Sequence, residues 1–424
     1  MLKVFLDFFK NKEIRNRIWF TLAMLFVFRL GAAIPAPGIK DTVIQLSGNS
    51  LLSMMNLLGG GAIEQMSIFS LGVGPYITAS IIIQLLSMDV IPSLTEMTKD
   101  GKKGREQLDR ITRYLGVVMA LVQGYFIVQL LSDQHKVVDN PGFANYAYIA
   151  VIFTAGTMFL LWIGDQITTK GIGNGVSVII FAGIVANLPS NLQTVYRTLI
   201  GNNGGAANWL GFIAYITMYL LIIAGVVLIE MAERRIPIQY SSSQPASHTK
   251  GDLNHLPLKI NSASVIPVIF TGALIQGPQI IASWVNQDAY RWLAGFFDFS
   301  KPYVLVIYAI CVVLFTFFYT NLTVDPEKMA EDLDKQHSYI PGIRPGKETV
   351  NYISNVLNRI TCLGALLLMV ISVLPYIVSM ATGLPVGAAL GGTGIIIVVG
   401  VAMECIKTLK GQLTHKQYKS FVGR

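Results

Sequence analysis

Side-chain chemistry needs reactive groups at set spacings, and the candidates in this sequence fall short one after another. The histidines His135, His248, His255, His337 and His415 are scattered over separate polar stretches, with no paired spacing for zinc. Gly342 to Lys347 imitates a phosphate loop, but too few residues separate its glycines, and Glu348 stands where a Ser or Thr would hold magnesium. Gly171-Ile172-Gly173-Asn174-Gly175 has neither a preceding strand nor the third glycine of a dinucleotide site. Cys311, Cys362 and Cys405 lie far apart in apolar surroundings and imply no disulfide framework. The expectation is a protein that is not an enzyme and uses no cofactor or metal.

The residues that do stand out act by shape and polarity. Val73 and Ile77 are four apart, and Val176 and Ile180 repeat that spacing, so each pair stacks on one helical face. Such a pair either packs against lipid and neighbouring helices or lines a shared axis. Gln84 and Asn261 are amides in or beside apolar stretches, where a buried amide needs a partner. They read either as packing contacts or as a polar latch between separable helices. Leu51 to Phe69 contains Leu57-Leu58-Gly59-Gly60-Gly61-Ala62 and then Glu64, apolar enough to leave water yet unsuited to a spanning helix. A re-entrant segment and an outer loop lying on the surface both satisfy that composition.

The elements that must hold these residues are membrane helices. Of the 424 residues 53% are hydrophobic and 13% charged, against about 25% charged in a soluble domain. A bilayer core needs about 20 apolar helical residues per crossing. Ten windows qualify, from Ile18 to Ile34, Val73 to Val90, Tyr114 to Leu131, Tyr148 to Ile163, Val176 to Leu188, Leu210 to Ile229, Val265 to Val285, Tyr303 to Leu322, Ile353 to Val378 and Val386 to Met403. With both termini cytoplasmic, 26 of the 32 lysines and arginines fall on inner segments and five on outer ones, with Arg29 inside the first window. Ten crossings divide into five and five, the parity of inverted halves around a central site. Ionisable residues in the windows are few. Arg29 can snorkel outward, and Asp89, Asp165, Glu230 and Glu404 lie near inner ends, which weakens the alternative of an ion-coupled secondary transporter.

Two inner loops, Met231 to Asn261 and Asp325 to Tyr352, are longer than a helix connection requires and suit a cytoplasmic partner. In the second, Pro341-Gly342-Ile343-Arg344-Pro345-Gly346 alternates proline and glycine, so its backbone is restricted and Arg344 stands in a defined place.

Taken together, Phe28-Arg29-Leu30-Gly31 leading to Ile34-Pro35-Ala36-Pro37-Gly38, Gly74-Pro75-Tyr76-Ile77-Thr78-Ala79-Ser80, Gly171-Ile172-Gly173-Asn174-Gly175, Glu233-Arg234-Arg235-Ile236-Pro237, Val265-Ile266-Pro267, the Arg344 turn and Gly391-Gly392-Thr393 resemble the SecY family over essentially the whole chain. Members of that family are channel subunits of the general protein translocase. The resemblance implies an all-α integral membrane protein with ten transmembrane helices in two inverted five-helix halves, a clamshell channel with a re-entrant plug. The halves are 1–195 and 196–424, with cytoplasmic loops 231–261 and 325–352.

The resemblance also implies residue roles. Leu57, Gly59, Gly60, Gly61, Glu64 and Phe69 fall in the plug, and Val73, Ile77, Val176, Ile180, Ile269 and Ile397 in a pore ring. Gln84 and Asn261 fall at a lateral gate, and Arg344, Arg234 and Arg235 at the contact with the SecA motor ATPase or the ribosome. Further implied partners are SecE and SecG as small membrane subunits, signal sequences and preproteins, and membrane lipid. The implied location is the bacterial plasma membrane. The chain departs from the pattern at Ser241 to Asn254, where Lys250 is the one basic residue, and at Val73 and Val176, which are smaller than the larger aliphatics of the family.

Overall fold

The computed structural model describes residues 11–39, 55–56, 59–87, 91–135, 137–138, 141–200, 206–240, 255–261, 266–285, 292–293, 295–297, 301–382 and 386–422. Helices dominate: α1 (Lys12–Ala32), α2 (Gly74–Leu86), α3 (Pro92–Lys99), α4 (Gly101–His135), α5 (Phe143–Lys170), α6 (Gly175–Ile200), α7 (Ala206–Met231), α8 (Ile266–Val285), α9 (Pro302–Thr323), α10 (Pro326–Lys335), α11 (Lys347–Thr382) and α12 (Val386–Val422). Each of the ten apolar windows lies on one of them. Six, α4 to α7, α9 and α11, carry stretches long and apolar enough to cross a membrane among the described residues, and α2 is a shorter apolar helix. Large apolar side chains stand exposed along them, among them Phe26 at 64%, Leu210 at 70% and Leu228 at 70%. A belt of that kind is unstable in water and suits hydrocarbon.

The expectation of an all-α chain needs one correction. Between α7 and α8 run β1 (Glu233–Pro237), β2 (Gln239–Tyr240) and β3 (His255–Lys259), and β4 (Ser338–Tyr339) follows α10. β1 pairs antiparallel with β3, Arg234 opposite Leu258 and Ile236 opposite Leu256, while β2 pairs with β4 across the two inner loops. Pro237 and Pro257 fit because a two-stranded ribbon leaves one edge of each strand without ladder bonds. Outside the apolar windows these backbones cannot continue a helix past proline, so they pair with each other.

Two neighbouring glycines set how closely the helices of the first half approach. A side chain at Gly175, where α6 begins, would overlap the carbonyl of Gly164 on α5, and one at Gly171 would reach Thr21 Oγ1 on α1, 2.5 Å away. The chain reverses through Gly173 at φ 70°. Asn174 then caps α6, its Oδ1 accepting from the amides of Val176 at 3.1 Å and Ser177 at 3.4 Å. The glycine-rich stretch that failed as a dinucleotide site is thus a close-packed turn.

Within the first half α2 packs on α4, α4 on α5 and α5 on α6, and within the second α8 packs on α9, α9 on α11 and α11 on α12. Contacts between the two sets run through α6 to α7 and α12, and through α4 to α8. The largest buried apolar cluster draws from both sets, while a separate one forms around Ile236, Leu258, Leu333, Ile340, Ile353 and Leu357, joining the loops that carry β1 to β4 to the start of α11.

Candidate functional site

The six aliphatic residues of the expected ring come from four helices and one turn, and the fold brings them into a single cluster. Val73 ends the turn before α2 and is 1% exposed, Ile180 on α6 3% and Ile397 on α12 4%, while Ile77, Val176 and Ile269 pack partly buried against them. Phe69 belongs to the same cluster, stacked between Phe28 of α1 at 6.3 Å and Phe159 of α5 at 6.1 Å. Aliphatic groups offer no hydrogen bonds and resist wetting, so these six side chains present an apolar surface that water enters poorly.

The segment ahead of α2 is not a simple surface loop. Ala62 and Ile63 are fully buried, Met66 is 1% exposed and Ser67 fully buried, whereas Glu64 is exposed. Its turns are closed from within. Asn56 Oδ1 accepts from the amides of Ile63 at 3.1 Å and Glu64 at 3.2 Å, and the Asn56 carbonyl accepts from the amide of Gly61 at 2.9 Å. Ser70 Oγ lies 3.0 Å from the Ala62 carbonyl and 2.6 Å from that of Ser67. A short antiparallel bridge joins Pro35 to Ser67.

Gly60 and Gly61 take φ of 76° and 85°, a backbone that residues with a Cβ rarely adopt. A Cβ on Gly60 would lie 2.9 Å from Gly183 Cα, and one on Gly61 2.8 Å from Asn187 Oδ1, so both sit directly on α6. Leu57 lies outside the described residues.

Two residues that composition did not single out for this segment hold it. Arg29 Nη1 donates to the Gly60 carbonyl at 2.9 Å, so the guanidinium does more than snorkel outward. Asn187 Nδ2 donates to the Asn56 carbonyl at 3.3 Å. The signal was present, because Asn187 is an amide inside the fifth apolar window just as Gln84 is inside the second.

Gln84 does not behave as a simple cross-helix partner. Its Nε2 donates to Ser80 Oγ one turn back on α2, at 3.4 Å, and its Oε1 is buried with no partner among the described residues. Asn261 is 5% exposed at the end of β3. There the Ile260 amide donates to the Ala232 carbonyl at 3.0 Å, and Gly364 of α11 admits the Ile260 carbonyl to within 2.6 Å of where a Cβ would be.

In the loop before α11, Arg344 is exposed between Gly342 at φ 83° and Gly346 at φ 96°, and its carbonyl accepts from Thr349 Oγ1 at 2.9 Å. Arg234 and Arg235 are exposed on β1, and Arg235 pairs with Glu233 at 2.8 Å. β2 to β4 pairing carries both loops on one apolar base. The tip 241–254, with Lys250, lies outside the described residues.

Two of the acids near helix ends are paired among the described residues. Asp165 lies 2.9 Å from Arg113, joining α5 to α4, and buried Glu230 at the end of α7 lies 3.4 Å from Lys407 of α12. Lys407 also donates to the Glu230 carbonyl. Asp89 is outside the described residues.

The family model described as SecY matches residues 67–406. The chain is 41% identical over the full length of both sequences to the protein translocase subunit SecY of Staphylococcus epidermidis, and 41% identical over the same extent to that of Staphylococcus aureus. A solved protein conducting channel superposes with a TM-score of 0.61 at 18% identity, covering 93% of this chain and 91% of that one. With a family model spanning the apolar cluster and both inner loops, and full-length relatives well above the level at which kinship is secure, the chain belongs to the SecY family of multi-pass membrane channel proteins.

Proposed function

We propose that the chain is the pore-forming subunit of a bacterial protein translocase. It passes unfolded secretory chains across the plasma membrane and releases membrane segments sideways into lipid. The observation that carries this reading is the largest apolar cluster. Six aliphatic side chains from both ends of the sequence and Phe69 of the preceding segment meet in one buried apolar core. A passing chain replaces Phe69 and its segment as the contents of the ring, and the ring fits many sequences because it makes no directed hydrogen bonds. In this reading ten helices form two five-helix halves, 1–195 and 196–424, with 59–69 as the described part of a re-entrant plug. Contacts among α6, α7 and α12 form the hinge side, and α2 and α8 line the lateral gate. Gln84, with an unpartnered oxygen among the described residues, lies on that gate with Asn261.

Energy and cargo come from partners. Arg344 on its glycine-bounded turn, with Arg234 and Arg235 on β1, forms a docking platform for the SecA motor or the ribosome. The exposed apolar faces accommodate lipid and the small subunits SecE and SecG. Both termini are cytoplasmic, as the distribution of lysine and arginine favours.

The test is site-specific crosslinking of an arrested secretory chain in inner-membrane vesicles with SecA and ATP. Single cysteines replace Ile77, Ile180 or Gln84 in a variant lacking Cys311, Cys362 and Cys405. Crosslinks from mid-chain to the first two positions and from the signal sequence to the third are expected. Translocation with crosslinks at none of the three positions overturns the site assignment, and failure of any chain to engage overturns the channel reading.

A further inference from the structure

Arg29 is a charged residue in the last turn of an apolar helix, and a plain explanation is that it completes the α1 dipole or reaches for water. Its hydrogen bond says otherwise. Nη1 donates to the carbonyl of Gly60, 31 residues away and on a different element, at 2.9 Å. That carbonyl belongs to the peptide joining two consecutive left-handed glycines, at φ 76° and 85°. A side chain on either would strain the backbone and press it into Gly183 or Asn187 of α6. The triple glycine therefore does two things at once: it lets the segment lie on α6, and it offers a carbonyl to α1.

A second, neutral attachment lies close by, Asn187 Nδ2 to the Asn56 carbonyl at 3.3 Å. Further along, the segment pairs with the chain just past α1, the Ala36 amide donating to the Met66 carbonyl at 2.9 Å and the Ile68 amide to the Ile34 carbonyl at 3.1 Å, and Phe69 lies over Gly31, two residues from Arg29. Met66, buried and left-handed at φ 45°, shows that the seated conformation is held against a local backbone preference.

We propose that Arg29 is the catch of the plug: a positioning residue whose guanidinium, through the Gly60 carbonyl, sets how firmly the segment 59–69 stays seated when no chain is in transit. Asn187 is its weaker counterpart on α6. The proposal rests on the plug-and-ring reading above. A hydrogen bond from a charged donor is the strongest single polar tie the segment makes to either helix among the described residues. It is also fully reversible, because both groups meet water when the segment leaves.

The experiment uses the complete translocase in sealed vesicles, with the three native cysteines replaced and Ile63→Cys introduced as a reporter. Ile63 is fully buried in the seated segment. Its labelling by a membrane-impermeant maleimide from the outer face reports unseating. Arg29→Gln is expected to raise the resting labelling rate by about tenfold, the effect of losing one charge-assisted hydrogen bond. Arg29→Lys, which keeps a charged donor, restores most of the protection, and Asn187→Ala gives a smaller increase than Arg29→Gln. Unchanged labelling in Arg29→Gln overturns the catch. So does equal labelling in Arg29→Gln and Arg29→Lys, since a merely structural role does not distinguish a retained charge. The channel reading is judged separately, by crosslinks at Ile77 and Ile180 in the otherwise unaltered protein: if these persist while the catch fails, only the role of Arg29 is withdrawn.

Discussion

Gly175 shows how much one missing atom decides. A methyl group there would occupy the place of the Gly164 carbonyl, which is backbone and cannot rotate away, so α5 and the start of α6 would have to separate. Val176 and Ile180, two residues of the proposed ring, follow immediately on α6. Gly175→Ala is expected to cost about 2 kcal/mol through overpacking, seen as a lower apparent Tm of the complex in detergent. Gly342→Ala is the contrast: nothing lies near its missing side chain, so only the left-handed backbone opposes the change. At this scale the spacing of Val73 with Ile77 and of Val176 with Ile180 was legible, because helical periodicity is local. The partnership of Arg29 with Gly60 was not, since nothing in either stretch announces a neighbour 31 residues off.

Among the elements, α10 is the most separable. Its N-cap Asp325 accepts from the amides of Glu327 at 3.1 Å and Lys328 at 3.3 Å, and lies 3.1 Å from Lys328 Nζ. Slight burial works against the charged carboxylate, but the Lys328 side chain and these two amides outweigh it and hold the carboxyl below its ordinary range. A depressed value means that the cap contributes fully above the unfolded aspartate value of about 3.9 and is lost only as pH falls through the lower folded one. Hydrogen exchange of the α10 amides should therefore be insensitive to this group from neutral pH down to about 5. Asp325→Ala is expected to weaken α10 by about 1 kcal/mol at neutral pH, read as faster exchange confined to its first turns. A uniform rise across the inner loops would contradict that local account.

At the scale of the molecule, the two inner loops behave as one body. Ile353 of α11 is fully buried among Ile236 and Leu258 from the first loop and Leu333 and Ile340 from the second. Ile353→Ala is expected to cost about 3 kcal/mol of local stability. Exchange should then rise together in β1, β3 and α10, and a change in only one loop would show that the shared base does not couple them. The platform matters because β3 runs into Ile260, whose carbonyl is seated at Gly364 of α11 just before α8 begins.

Membrane class, the ten apolar windows, the charge asymmetry and the family were readable from residue order alone, because hydropathy, helical period and short motifs are properties of contiguous sequence. The pairing of β2 with β4, the seat of Gly60 on α6 and the meeting of six aliphatic side chains in one core depended on the tertiary structure. Each is a contact between segments far apart in the chain, and an aliphatic residue carries no mark of which other aliphatic residue it will touch. Hydrophobic burial is non-directional, so it drives collapse without naming partners. The partners are chosen by close packing, by glycines that let backbones approach and by the few polar groups, Arg29, Asn56 and Asn187, that must find acceptors or donors once they leave water.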